Sequence, residues 1–326
     1  MKYADLTRFV HSKGFAGLML GLALGAFILT YSLGLYTPVS ADKGLILPSA
    51  NEWIAPGPAD LLISLAANVA LVLAAALTAK FFNILRSQTA LPMALFATLQ
   101  MATPGLGVQF YTGTALAIAV AGCLMILFSC YRCPVRTRRI FLIFLILSTG
   151  CATQYCYVLY IPVFLLGCGQ MRIFNSRTIV AALLGLITPW WIMGACGLLR
   201  PDTIHMPELV NIFSQIPSAS AISLLTAVGL TALLLVGSFT MNVMKTIAYN
   251  ARARAYSGAF ATLSLATLIG MAIDYQNLIS YVPLLNYCAS FETAGYFSTH
   301  RGERTGLAPI IIAATYLALY LCQILL

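Results

Sequence analysis

The chain has 326 residues, 60% of them hydrophobic and 8% charged, with a formal net charge of +9. Soluble domains carry about 45–50% apolar and about 25% charged residues, so this chain lacks the charges to keep a water-facing surface dispersed. The same imbalance excludes intrinsic disorder, and no basic stripe or aromatic RNA-binding motif supports nucleic-acid binding.

Apolar runs bounded by charges or turn residues predict eleven helices, at 15–35, 61–79, 90–103, 109–131, 140–152, 156–171, 178–199, 219–244, 257–273, 277–297 and 307–326. This is an all-α fold, a polytopic membrane helix bundle of about eleven transmembrane helices that includes short hairpin pairs. Residues 1–326 form a single integral membrane domain. The first run follows Lys2, Arg8 and Lys13 and is long enough to span a membrane at about 1.5 Å per residue. It exceeds the apolar core of a cleavable signal, so it is expected to remain as a helix. The segment at 200–218 mixes Ile204, Met206, Leu209 and Phe213 with polar residues and reads as an amphipathic surface stretch.

Several of these helices are too short to cross a core of about 30 Å alone. They meet in pairs around Pro104-Gly105-Leu106-Gly107, around 150–156, and less clearly at Asp274-Tyr275-Gln276-Asn277. Each pair reads as a hairpin whose outer turn sinks below the membrane surface. Irregular backbone at that depth must be buried in protein or line a wet cavity, which predicts a polar recess in the outer half. The first two turns echo one another, Gln109-Phe110-Tyr111 against Gln154-Tyr155 with Tyr157, as a duplicated hairpin would.

Charge sets the orientation. With the N-terminus in the cytoplasm, every one of the 18 basic residues except Lys43 and Arg200 falls on the cytoplasmic side, as the positive-inside rule requires. Asp42, Glu52, Asp60, Asp202, Glu208 and Asp274 then lie at the outer face. As a group they read either as general bases or divalent-cation ligands, or as helix caps and solvated ends. Asp60, just before Leu61, fits a helix cap, and Trp53 an interfacial anchor. Asp274 sits at a sunken turn with Gln276 and Asn277, where an ionisable group needs a partner or water.

Asp202, His205 and Glu208 share one ridge if helical, a weak metal pattern. Glu292, inside the tenth run, is expected to face the bundle interior. Arg136, Arg138 and Arg139 suit anionic headgroups, although topogenesis alone explains them. The nine cysteines lie mostly in apolar runs and behave as small hydrophobes, with Cys130 and Cys133 an isolated C-x-x-C. Neither a P-loop nor an H-E-x-x-H motif occurs.

The order of these features resembles the multi-spanning GT-C glycosyltransferases: a first helix, an acidic outer loop, short hairpin helices with sunken turns, a basic connection, and a helix reading Leu186-Ile187-Thr188-Pro189-Trp190-Trp191. The likeness runs from Arg86 to Trp191, and the chain is also similar to an uncharacterised membrane family of Bacteroidota that supplies no activity. The resemblance implies transfer of a sugar from a polyprenyl-phosphate carrier onto an acceptor outside the bacterial inner membrane. By that likeness Asp42, with Glu52 second, activates the acceptor, Arg200 holds the carrier phosphate, and Gln109, Gln154, Gln276 and Asp274 line the recess.

The first outer loop is short and lacks the family's paired Asp-Glu, and the family's large outer domain is missing, which describes a reduced, partner-dependent or catalytically silent relative. No cofactor is readable, with a divalent cation left open. The expected partners are membrane lipid, a polyprenyl-phosphate-linked sugar and other membrane proteins, with no nucleic acid. Two alternatives stand beside the transferase: a non-catalytic membrane scaffold or subunit of an envelope complex, and a small-solute transporter.

Overall fold

The computed structural model describes residues 9–10, 12–35, 44–55, 57–82, 90–133, 137–199, 218–246, 250–299 and 307–325. Asp42, Arg136, Arg200, Asp202, His205 and Glu208 lie outside these residues. The described residues are all-α and contain no strand. In chain order the helices are α1 (Lys13–Ser32), α2 (Pro58–Phe82), α3 (Leu91–Met101), α4 (Pro104–Gly107), α5 (Thr112–Phe128), α6 (Thr137–Thr153), α7 (Tyr160–Gln170), α8 (Ser176–Ala195), α9 (Ser218–Thr246), α10 (Ala251–Ile273), α11 (Val282–Thr299) and α12 (Ala308–Leu325). Short 3₁₀ turns at Ala50–Glu52, Tyr155–Leu159 and Tyr275–Tyr281 lead into or link them.

Proline placement accounts for several of the starts. Pro58, Pro92, Pro104, Pro162, Pro283 and Pro309 all fall in the first turn of a helix, where the missing N–H is no loss. Ser12 caps α1 by accepting from the Phe15 amide at 3.4 Å, and Asn175 caps α8 by accepting from Thr178 at 2.8 Å. Pro189 is the exception, standing inside α8. Near that proline the Ser148 hydroxyl of α6 donates to the Leu186 carbonyl at 2.6 Å, and the Trp190 indole donates to Ser148 at 2.9 Å. Gly185 makes the α6–α8 approach tight, since a Cβ there would stand 2.6 Å from the Phe141 carbonyl oxygen.

Six helices are long and apolar enough to cross a membrane: α1, α2, α8, the 221–244 stretch of α9, α10 and α12. Every one of the eleven expected segments contains helix, but α3, α5 and α7 are apolar and short, and α6 and α11 are not among the helices long and apolar enough to cross a membrane. For α11 the reason is its surroundings. Residues 281–294 are buried without interruption, so this helix faces protein all round and tolerates Asn286, Ser290, Glu292 and Thr293 where a lipid-facing helix would not. Glu292 faces the bundle interior, where Asn242 of α9 donates to its carboxylate and to its backbone carbonyl, each at 2.7 Å.

Candidate functional site

Two turns, each closing a helical hairpin at the same end of the bundle, carry the polar groups of interest. The first runs from α3 through α4 to α5. Its backbone leaves the helical path at Thr103 and again at Tyr111, on either side of the single turn of α4, and such a path exposes carbonyls and amides that need partners. They come from one face of α2, where Asp60, Ser64 and Asn68 recur at four-residue spacing. The Asp60 carboxylate accepts from the Phe110 amide at 2.8 Å. The Ser64 hydroxyl and the Asn68 amide donate to the Gly107 carbonyl at 2.6 and 3.2 Å. Asn51 completes the tether, its side-chain oxygen accepting from the backbone and hydroxyl of Thr112 at 2.9 and 3.1 Å.

Asp60 therefore does not cap α2 in the expected way. The helix begins at Pro58, and the carboxylate reaches across to the next hairpin. Trp53, 53% exposed, stacks on Phe110 with ring centroids 6.2 Å apart.

Beneath this turn lies a cavity of about 470 Å³, enclosed by α1, α2, α3 and α4. Its walls are apolar, with Leu20, Leu24, Val69, Leu73 and Phe96 among them. Leu24, Val69 and Leu73 keep 46–52% of their surface exposed, so the cavity opens sideways as a groove between α1 and α2. Two amides supply the polarity. Asn68 Oδ1 is buried and accepts no hydrogen bond, while Gln100 accepts from Asn286 of α11 at 2.9 Å. An apolar groove of this volume with few convergent polar groups is the usual shape of a small-molecule or lipid-chain site.

The second turn, between α6 and α7, is packed instead of open. The ring of Tyr157 lies directly on Gly150, and the amide of Gln154 donates to the Gly150 carbonyl at 2.8 Å. The backbone amides of Ile46 and Leu47 both donate to the Ala152 carbonyl at 3.0 Å, bringing the segment that precedes α2 onto the end of α6. Against this turn sits Asp274, at the junction of α10 and the 3₁₀ turn that precedes α11. Its carboxylate accepts from the Tyr155 and Tyr281 hydroxyls at 2.8 and 3.2 Å, and Asn277 donates to Tyr155 at 3.2 Å. Burial pushes the Asp274 carboxyl above the usual carboxylate range, and the bonds from Tyr155, Tyr281 and Asn277 pull it partly back.

The expected site residues thus fall into two groups. Gln154, Asp274 and Gln276 gather at the second turn, where Gln276 donates to Tyr275 at 3.3 Å. Gln109 and Glu52 belong to the first: Gln109 precedes the Phe110 amide held by Asp60, and Glu52 is exposed in the 3₁₀ turn beside Trp53. None of these five lines the groove. Asp42 and Arg200 lie outside the described residues. Among the described residues no group of three His, Cys, Asp or Glu is placed to hold a metal ion.

Sequence reasoning missed the groove and its two amides. The readable signal was the four-residue recurrence of Asp60, Ser64 and Asn68 along an otherwise apolar run. No family model matches the chain, and no curated protein or solved structure matches it either.

Proposed function

We propose that this protein is a multi-spanning membrane protein that binds the apolar chain of a lipid-borne substrate in the groove beneath the first turn. The observation that carries this reading is the groove itself. It is apolar, open at its side and closed at one end by α4, and it keeps an unpartnered acceptor, Asn68 Oδ1, within its wall. A chain entering from the bilayer would lie along α1 and α2 with its polar end toward the turn. The finer reading adds about eleven membrane-embedded helices, the N-terminus in the cytoplasm and residence in a bacterial inner membrane.

The reaction we propose is GT-C-like transfer of a sugar from a polyprenyl-phosphate carrier at the outer side. Asp42 or Glu52 would take the proton of the acceptor hydroxyl as its oxygen attacks the anomeric carbon, and the polyprenyl phosphate would leave toward Arg200. Gln109, near the mouth of the first turn, suits a contact with the sugar better than the packed Gln154. Membrane lipid is the expected partner throughout.

A second reading, a non-catalytic subunit of an envelope complex, is favoured by one observation. Two of the outer acids, Asp60 and Asp274, spend their carboxylates on bonds that hold the turns. One experiment separates the readings. The protein is purified into nanodiscs, its retained lipids are identified by mass spectrometry, and transfer is assayed with polyprenyl-phosphate-linked sugars. The transferase reading expects a retained polyprenyl phosphate and turnover abolished by Asp42→Asn. Retention of bulk phospholipid alone, with no turnover, would overturn it and leave the subunit.

A further inference from the structure

At the opposite end of the bundle from the two turns, α5 and α7 finish in the same unusual way. Arg132 has φ +53° and Arg172 has φ +58°, the left-handed region that favours glycine. The two turns touch, since the Arg132 amide donates to the Met171 carbonyl at 3.2 Å. Glycine is the usual residue for such helix ends, and here a charged side chain occupies it twice. Strained backbone of this kind persists where the surroundings fix it, and it gathers at binding sites.

A third arginine arrives from the start of α10. The Arg252 guanidinium lies 6.0 Å from the Tyr131 ring centroid and 5.4 Å from that of Tyr256, and Arg132 lies 5.6 Å from the same Tyr131 ring. Arg252 Nε donates to the Tyr256 hydroxyl at 2.8 Å, and that hydroxyl donates to the Phe128 carbonyl at 3.2 Å. These contacts fix the guanidinium while leaving its terminal N–H groups unspent. Next to them, Arg139 donates to the Ser129 hydroxyl at 2.5 Å and to its carbonyl at 3.3 Å. Among the described residues the carboxylates are Glu52, Asp60, Asp274 and Glu292, and none is bonded to Arg132, Arg172 or Arg252.

We propose that Arg132 and Arg252, placed around Tyr131, bind the phosphate of an anionic phospholipid headgroup, with Arg172 adding charge beside them. The Arg252 guanidinium, held through its Nε with its terminal N–H groups free, matches phosphate oxygens, and Arg132 stands over the same Tyr131 ring. The choice of a lipid over a free anion rests on the neighbourhood. Phe174, two residues beyond Arg172, is 57% exposed, which places apolar surface against the charges as at a membrane boundary. Topogenesis requires only that basic residues be present on one side. It requires neither the left-handed backbones nor the shared aromatic ring. The site is independent of the transferase reading.

The test uses the full chain in mixed micelles titrated with phosphatidylglycerol or phosphatidylcholine, counting retained lipids by native mass spectrometry. Wild type is expected to prefer phosphatidylglycerol. Arg132→Gly with Arg252→Gln should lower that preference about tenfold or more, since each basic residue at an anionic membrane surface adds to binding. Arg132→Gly alone suits the left-handed backbone, so it should weaken lipid retention while the melting temperature holds or rises. If the double variant fails to fold, this single variant decides the matter. An unchanged preference, or a loss seen only together with lowered melting temperature, would overturn the proposal. Displacement of the lipid by millimolar inorganic phosphate would assign the site to a free anion and overturn the lipid.

Discussion

The two turns share a plan and differ in what lies under them. In both, a helix gives way to an extended residue, Tyr111 at φ −147° and Gln154 at φ −154°, and the return helix ends on a left-handed arginine. Under the second turn, the Tyr157 ring fills the space over Gly150. Under the first, nothing stands within 4 Å of where a Cβ on Gly107 would be, and the cavity begins there. One hairpin is closed by its own tyrosine. Its counterpart is held from outside by Asp60, Ser64 and Asn68, so its interior stays free for another molecule. Both turns are tethered by neighbouring segments, and what separates them is whether a side chain of the hairpin fills the space beneath the turn.

That contrast can be broken from either side. Gly150→Val has the largest expected effect, because the added carbons meet the Tyr157 ring, and overpacking of this kind costs about 1–3 kcal/mol. A lowered melting temperature in detergent checks it. Asp60→Ala comes next. It leaves the part-buried Phe110 amide without its acceptor, a loss of about 1 kcal/mol. Hydrogen exchange at residues 104–112 should rise in that variant and stay unchanged around Gln154.

Asp274→Ala removes the acceptor of two tyrosine hydroxyls and should cost about 1 kcal/mol, with protection lost at the second turn and retained at the first. Gly107→Ala should be silent, within about 0.5 kcal/mol, since it meets open space.

Asp274 also gives a small pH effect. Its folded-state pKa is raised above 3.8, so the folded protein holds that proton more tightly than the unfolded chain does. The resulting stability is full below 3.8 and is lost as pH rises through the raised value. Comparing wild type with Asp274→Asn across acid pH should show wild type losing ground as pH increases.

Much of this architecture is legible in the residues. Apolar run lengths place the helices, and Pro104-Gly105 with Gly107 marks a turn that no spanning helix would accept. Other features depend on distant partners. Asp60 beside Leu61 has the local look of a cap, and only the fold brings it to the amide of Phe110, fifty residues on. The polar content of α11 lowers its hydropathy, yet that content fits a helix buried on every side through residues 281–294. The groove has no local signature at all, because it is made of what α1, α2, α3 and α4 leave between them.

The most direct test of the account fills that space. Gly107→Leu places a side chain where no atom stands within 4 Å of the Cβ position, so the fold should accept it. Wild type and variant are purified in parallel into nanodiscs, and the lipid retained by each is measured by mass spectrometry beside its melting temperature. The account predicts that the variant melts like wild type and has lost the chain that wild type keeps. An identical retained lipid in both proteins would contradict a ligand site beneath the first turn.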